Sequence, residues 1–142
     1  MLKWIGNSYL RLVGWKLEGK LPPDRKWIIL AAPHTSNWDW VVAILALWAM
    51  GLRMSYLIKD TALWWPASLF IRATGGIPVN RAEPAGIADD VAKRILGAER
   101  IVMVITPEGT RSRVEQWKTG FLRIAAVASL PVVQVSWDYR SE

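Results

Sequence analysis

His34 is the only histidine in the 142-residue sequence, and Asp39 follows it five positions later. Imidazole ordinarily titrates near neutral pH, which makes His34 the candidate base. A carboxylate bonded to one ring nitrogen holds the tautomer whose other nitrogen accepts a proton. The apolar run Trp27 to Ala31 leads into this stretch, and a second, Trp40 to Met50, leads out. The pair therefore falls at a strand-to-helix junction. A helix turns about 100° per residue, so within one helix His34 and Asp39 would point roughly 140° apart. They can meet only if the helix begins between them. Ser36 is a good N-cap, and Asp39 stands where a carboxylate reaches back to the cap amide. Asp39 thus has two readings. It completes a capping box at the positive end of the helix dipole, or it orients His34. An oxygen spent on the cap is less available to the imidazole, and residues 33–39 alone do not choose.

The elements that would position this pair alternate along the chain. Strand patterns at about 27–32, 54–58, 77–81, 101–105 and 131–137 are separated by helix patterns at about 37–51, 64–72 (broken at Pro66), 84–97 and 116–129. Pro84 suits a helix's first turn and Gly97 a stop. Strands that are apolar throughout predict a mainly parallel sheet covered on both faces, an α/β fold. In such sheets ligands bind beyond the carboxyl ends of the strands. The loops there carry His34, Asp39, Lys59, Arg81, Glu108, Arg111 and Arg113. A neutral base among cations suits a substrate that bears a phosphate near a hydroxyl. Ahead of the sheet, residues 2–17 read as an amphipathic helix. Lys3, Asn7 and Arg11 lie on one side, and Leu2, Ile5, Tyr9 and Leu12 form an apolar row that Leu10, Val13 and Leu17 widen. The division is 1–20 for this helix and 26–142 for the main domain, joined by a connector with Pro22-Pro23-Asp24.

Composition narrows the chemistry. An apolar fraction of 52% with 21% charged residues excludes a disordered chain. The absence of cysteine removes disulfides, thiol nucleophiles and Cys-ligated metals, and a single histidine removes a His-rich metal site. The net charge of +6 favours anionic partners. Ten tryptophans point the same charge toward a membrane surface, where the ring sits with one side apolar and one side wet. The apolar run from Trp40 stops at Leu52, short of the ~18–20 residues a bilayer span requires. Asn7, Arg11 and Lys16 interrupt the N-terminal apolar stretch, which does not read as a signal peptide. The basic residues are scattered, and no nucleic-acid motif accompanies them.

A second loop carries chemistry. Thr106-Pro107-Glu108-Gly109-Thr110-Arg111-Ser112 follows a buried strand. Gly109 permits close backbone approach, Thr110 and Ser112 offer hydroxyls, and Arg111 offers a fork for phosphate. By itself this could be a turn with a solvated arginine.

Taken together, the stretches resemble the glycerolipid acyltransferase family, typified by lysophosphatidic acid acyltransferase. That family shows a histidine, four residues and an aspartate, here His34 to Asp39. It shows Gly-Ile-Pro-Val-x-Arg, here Gly76 to Arg81, and Pro-Glu-Gly-Thr-Arg-Ser, here Pro107 to Ser112. A late apolar block follows around Pro131, and Lys59, Pro66, Lys118 and Gly120 also fall on the pattern. The match runs from about residue 26 to 136. Pro33 stands where many members carry asparagine, and Thr106 replaces a common phenylalanine. Members usually continue past the strand that ends near Trp137, so a truncated or compact form is expected.

The resemblance implies a glycerol-3-phosphate acyltransferase-like sheet and an O-acyltransferase of phospholipid biosynthesis. It implies that a fatty acyl group moves from acyl-CoA or acyl carrier protein to a lysophospholipid hydroxyl, with 1-acylglycerol-3-phosphate as acceptor. His34 would be the general base and Asp39 its support. Lys59, Arg81, Gly109, Thr110, Arg111 and Lys118 would hold the phosphate, while Glu108 and Ser36 would shape their loops. The only cofactor-like participant would be the donor thioester. A peripheral position at the cytoplasmic face of the inner membrane is expected, with no transmembrane span and no nucleic acid. Two alternatives fit the same residues: an acyltransferase for another lysolipid or a non-phosphate acceptor, and a non-enzymatic basic membrane-surface protein.

Overall fold

Five short apolar runs form one sheet in which every strand pair is parallel. The structure is a computed structural model that describes residues 1–32, 36–109 and 112–138. Helix α1 spans Leu2–Leu12, strand β1 Lys26–Ala31, α2 Asn37–Ala49 and β2 Met54–Lys59. A 3-10 turn at Asp60–Ala62 precedes α3, Ala67–Ala73. Then come β3 Gly76–Val79, α4 Ile87–Gly97, β4 Ile101–Ile105, α5 Gly120–Ala128 and β5 Val132–Val135. The strand order is β3-β2-β4-β1-β5. The expected α/β class and parallel sheet are what the chain adopts.

Successive side chains of a strand point to opposite faces, which sorts the core into two layers. Trp27 and Ile29 of β1 and Val102 of β4 pack with Ala43, Ile44 and Leu47 of α2. Ile28, Leu30 and Met103 pack with Val91, Ala92 and Ile95 of α4 and Ile124 and Ala128 of α5. The central strands are covered on both sides, and this is why they are apolar throughout. Pro78 is tolerated in β3 because that strand is an edge, paired only with β2.

Helix α2 is nearly free of polar residues because it is covered twice, by the sheet and by α1. The α1 contact is made at Gly6. A Cβ there would lie 2.4 Å from Leu45 O and 2.5 Å from Ala49 N, so the absent side chain sets how close the helices come. Asn7 Nδ2 donates to Lys3 O at 2.8 Å and reaches Ala49 O at 3.4 Å. The docked face of α1 is therefore centred on Gly6 and Leu10, both buried; Leu10 comes from the flank of the predicted apolar row and Gly6 from outside it. Leu12 of that row is 85% exposed.

Several helix boundaries differ from the sequence expectation, α3 among them, which begins only after Pro66. Helix α1 ends at Leu12, not 17. Gly14 takes a left-handed φ of 73°, its N–H donates to Arg11 O, and Trp15 N–H donates to Leu10 O, which is a Schellman stop. Pro84 lies in a turn closed by Ile87 N–H on Pro84 O, and α4 begins only at Ile87. Residues 116–119 are loop because Lys118 N–H is committed to Pro107 O. No helix among the described residues is long and apolar enough to cross a membrane.

Candidate functional site

The chain leaves β1 for the α2 layer and leaves β4 for the α5 layer on the opposite face. Since β1 and β4 are neighbours, their carboxyl ends flank the crevice where the connections diverge. Such a switch point is where open α/β sheets bind ligands. The chain that continues from Ala32 after β1 and from Thr106 after β4 leaves the sheet there.

Asp39 is the one buried charged residue among the described residues, at 2% exposure. Burying a carboxylate is costly unless it is hydrogen-bonded. Ser36 N–H donates to Asp39 Oδ2 at 2.9 Å, and Trp38 N–H donates to Ser36 Oγ at 3.0 Å. Helix α2 starts at Asn37 with Ser36 as its cap, so the helix begins between positions 34 and 39 as the pair requires. The sequence left open whether Asp39 completes a capping box or orients His34. The full capping box forms, and one carboxylate oxygen serves it. A carboxylate offers about four acceptor sites, so the cap bond does not exhaust it. The box also engages the Ser36 and Trp38 amides, so neither donor is spare for an anion.

The loop after β4 is closed on itself. Pro107 is fully buried, Gly109 N–H donates to Thr106 O at 3.1 Å, and Lys118 N–H donates to Pro107 O at 2.8 Å. Gly109 has φ 65°, and a Cβ on it would lie 2.8 Å from both Cε and Nζ of Lys118. The lysine thus lies along the glycine face, which joins two predicted site residues distant in local sequence. Sequence reading marked both residues but not this contact. The one signal for it was the family-pattern position of Lys118.

Lys59 ends β2, the strand beside β4, whereas Arg81 follows β3, the edge strand one further out. Neighbouring strands are about 4.8 Å apart, so β3 lies roughly 10 Å beyond β4. Both side chains are exposed at the carboxyl edge, and neither has a hydrogen bond or ion pair among the described residues. Glu108 is half-buried in the closed loop. His34, Thr110 and Arg111 lie outside the described residues.

Behind Asp39, Trp40 packs edge-on against Tyr56 at 5.6 Å and against Phe70 at 5.8 Å. Burial pushes the Tyr56 hydroxyl above its ordinary pKa, partly offset by hydrogen bonds with Thr74 and Trp40. Tyr56 is therefore a neutral hydrogen-bonding group that fixes the α2 start against β2 and α3.

The acyltransferase family profile matches residues 16–137. This chain belongs to the acyltransferase family. It is 27% identical over 146 aligned positions to a 1-acyl-sn-glycerol-3-phosphate acyltransferase of Limnanthes douglasii, covering 91% of this chain and 50% of that one. It is 34% identical over 101 positions to 1-acyl-sn-glycerol-3-phosphate acyltransferase epsilon of Mus musculus, covering 67% and 28%. Its fold is similar to that of the 1-acyl-sn-glycerophosphate (LPA) acyltransferase PlsC of Thermotoga maritima, with a TM-score of 0.64 and 22% identity. That likeness covers 92% of this chain and 54% of the other. The chain spans about half the length of the plant relative it matches.

Proposed function

We propose that this acyltransferase-family chain transfers a fatty acyl group from a thioester to the free hydroxyl of a lysophospholipid, with 1-acylglycerol-3-phosphate as acceptor. The observation that carries the reading is a buried carboxylate, Asp39, at the start of α2 beside the β1–β4 crevice. The closed loop holding Gly109 against Lys118 flanks the same crevice.

In this reading His34 removes the proton from the acceptor hydroxyl as its oxygen attacks the thioester carbonyl. Asp39 stabilises the imidazolium that develops. Collapse of the tetrahedral intermediate expels the thiolate, which takes the proton back from His34. No covalent acyl-enzyme is required, so the mechanism needs no side-chain nucleophile. Lys118 and Arg111 hold the acceptor phosphate, and Lys59 and Arg81 supply positive potential along the same edge. The donor is acyl-CoA or acyl carrier protein, and no other cofactor takes part. The chain works at a membrane surface without spanning it.

The test is a donor-by-acceptor panel on the purified protein, with His34→Ala beside wild type. Turnover of 1-acylglycerol-3-phosphate is expected in wild type, with a loss of about 10²–10⁴-fold in the variant, the range for a positioned base. Activity within a few-fold of wild type would overturn the assignment.

A further inference from the structure

We propose that the Trp64–Trp65 turn together with α3 is the surface by which this protein docks on an anionic phospholipid bilayer. The proposal rests on the reading that the acceptor is a lysophospholipid, since such a substrate resides in a membrane. Its observations are independent of catalysis.

The sequence from Thr61 to Ile71 contains no charged residue. Uncharged, apolar segments of this kind are normally buried, yet α3 has no buried residue at all. Trp64 is 64% exposed, Trp65 78%, Leu69 64% and Phe70 59%. Apolar groups this large and this close together mark an interaction surface more than chance. The residue types say which surface. Two adjacent tryptophans suit the headgroup level, where the ring can bury its apolar body and keep its N–H wet. Leucine and phenylalanine one turn further along suit the acyl boundary below it.

Charge agrees. Between Met54 and Ala82 the charged residues are Lys59, Asp60, Arg72 and Arg81. The single acid, Asp60, accepts the Thr61 N–H at 2.7 Å. Lys59 and Arg72 bracket the uncharged stretch and are exposed, placing cations where lipid phosphates would lie.

The patch is rigidly tied to the candidate site. Phe70 packs on Trp40, the residue after Asp39. Thr74 at the end of α3 is bonded to Tyr56 at 2.9 Å. A bilayer contacting α3 therefore lies beside the start of α2, and an acceptor lipid would have a short path to the crevice.

The experiment is flotation of the full chain with phosphatidylcholine vesicles, with and without phosphatidylglycerol. Wild type should float with the mixed vesicles, and Trp64→Ser/Trp65→Ser should lower the bound fraction about tenfold or more, as removal of interfacial apolar area requires. Lys59→Gln/Arg72→Gln should weaken binding to the anionic vesicles only. Both double variants should unfold at the wild-type temperature, because the substituted groups are exposed. Unchanged flotation of the tryptophan variant would overturn the proposal. So would a lipid-free dimer that the tryptophan substitutions dissolve, which would assign the patch to a second copy. Asp39→Asn, floating normally but not turning over, separates docking from catalysis; vesicle binding without any turnover would refute the catalytic reading and leave docking intact.

Discussion

The backbone amide of Ser36 donates to the carboxylate of Asp39 at 2.9 Å, which ties the only buried charge among the described residues to the first turn of α2. One carboxylate therefore serves the helix start and, in the proposed mechanism, the base. Asp39→Asn separates the two duties. An amide oxygen still accepts the Ser36 N–H, so stability should fall by no more than about 1 kcal/mol, the scale of a cap. Turnover should fall by about 10²–10⁴, because the imidazolium loses its counter-charge. Urea midpoints and rates measured on the same preparation check both.

Gly109→Ala should damage the loop after β4 twice. The left-handed φ of 65° disfavours any L side chain, at of order 1 kcal/mol. The new methyl would also meet Lys118 at 2.8 Å. The lysine must swing away, so KM for a phosphorylated acceptor should rise more than kcat falls. A double-mutant cycle with Lys118→Ala isolates the contact. The double variant should be less destabilised than the sum of the singles, since removing the lysine leaves room for the methyl.

Gly6→Ala reverses an ordinary expectation. Alanine is the better helix former by about 1 kcal/mol, so in an exposed helix the change would stabilise. Here the methyl meets backbone at 2.4 and 2.5 Å, which no rotamer can relieve. Helix α1 must lift from α2, and the denaturation midpoint should fall. An unchanged or higher midpoint would show that the helices separate without cost.

Asp89 and Arg123 join α4 to α5 by two hydrogen bonds, at 2.8 and 2.9 Å. The arginine's hydrogen bonds, more than its charge at a distance, hold the Asp89 carboxyl below its ordinary pKa. A carboxyl lowered in the folded state adds stability above its unfolded value of about 3.9, and loses it as pH falls through the folded value. Arg123→Gln should therefore lower the urea midpoint slightly at neutral pH. The difference from wild type should vanish in acid below the folded value and shrink in high salt, as for any exposed ion pair.

Much of the fold was legible because its signals are local. Trp27 to Ala31 and Ile101 to Ile105 read as buried strands from apolar content alone, and Ser36 read as a cap from its hydroxyl and the carboxylate three residues on. The misplaced boundaries have long-range or backbone causes. Residues 116–119 carry a helical pattern, but the amide of Lys118 is held by Pro107. The apolar row of α1 contains Leu12, but the docked face follows Gly6, whose importance is a missing atom. Hydrophobic periodicity does not register a missing side chain.

Residue chemistry and spacing, set by the sequence alone, determined which groups could act: one imidazole, one carboxylate five positions on, and a glycine-bearing loop after an apolar strand. They also placed the chain in its family. Only the tertiary structure decided how these groups are shared. It placed β1 beside β4 with exits to opposite faces, laid Lys118 along Gly109, and left Arg81 just past the far edge strand. It also committed an oxygen of Asp39 to the cap and left α3 uncovered. The reason is physical. Local sequence sets propensities and caps, whereas strand order and helix docking come from how two apolar layers close over one sheet.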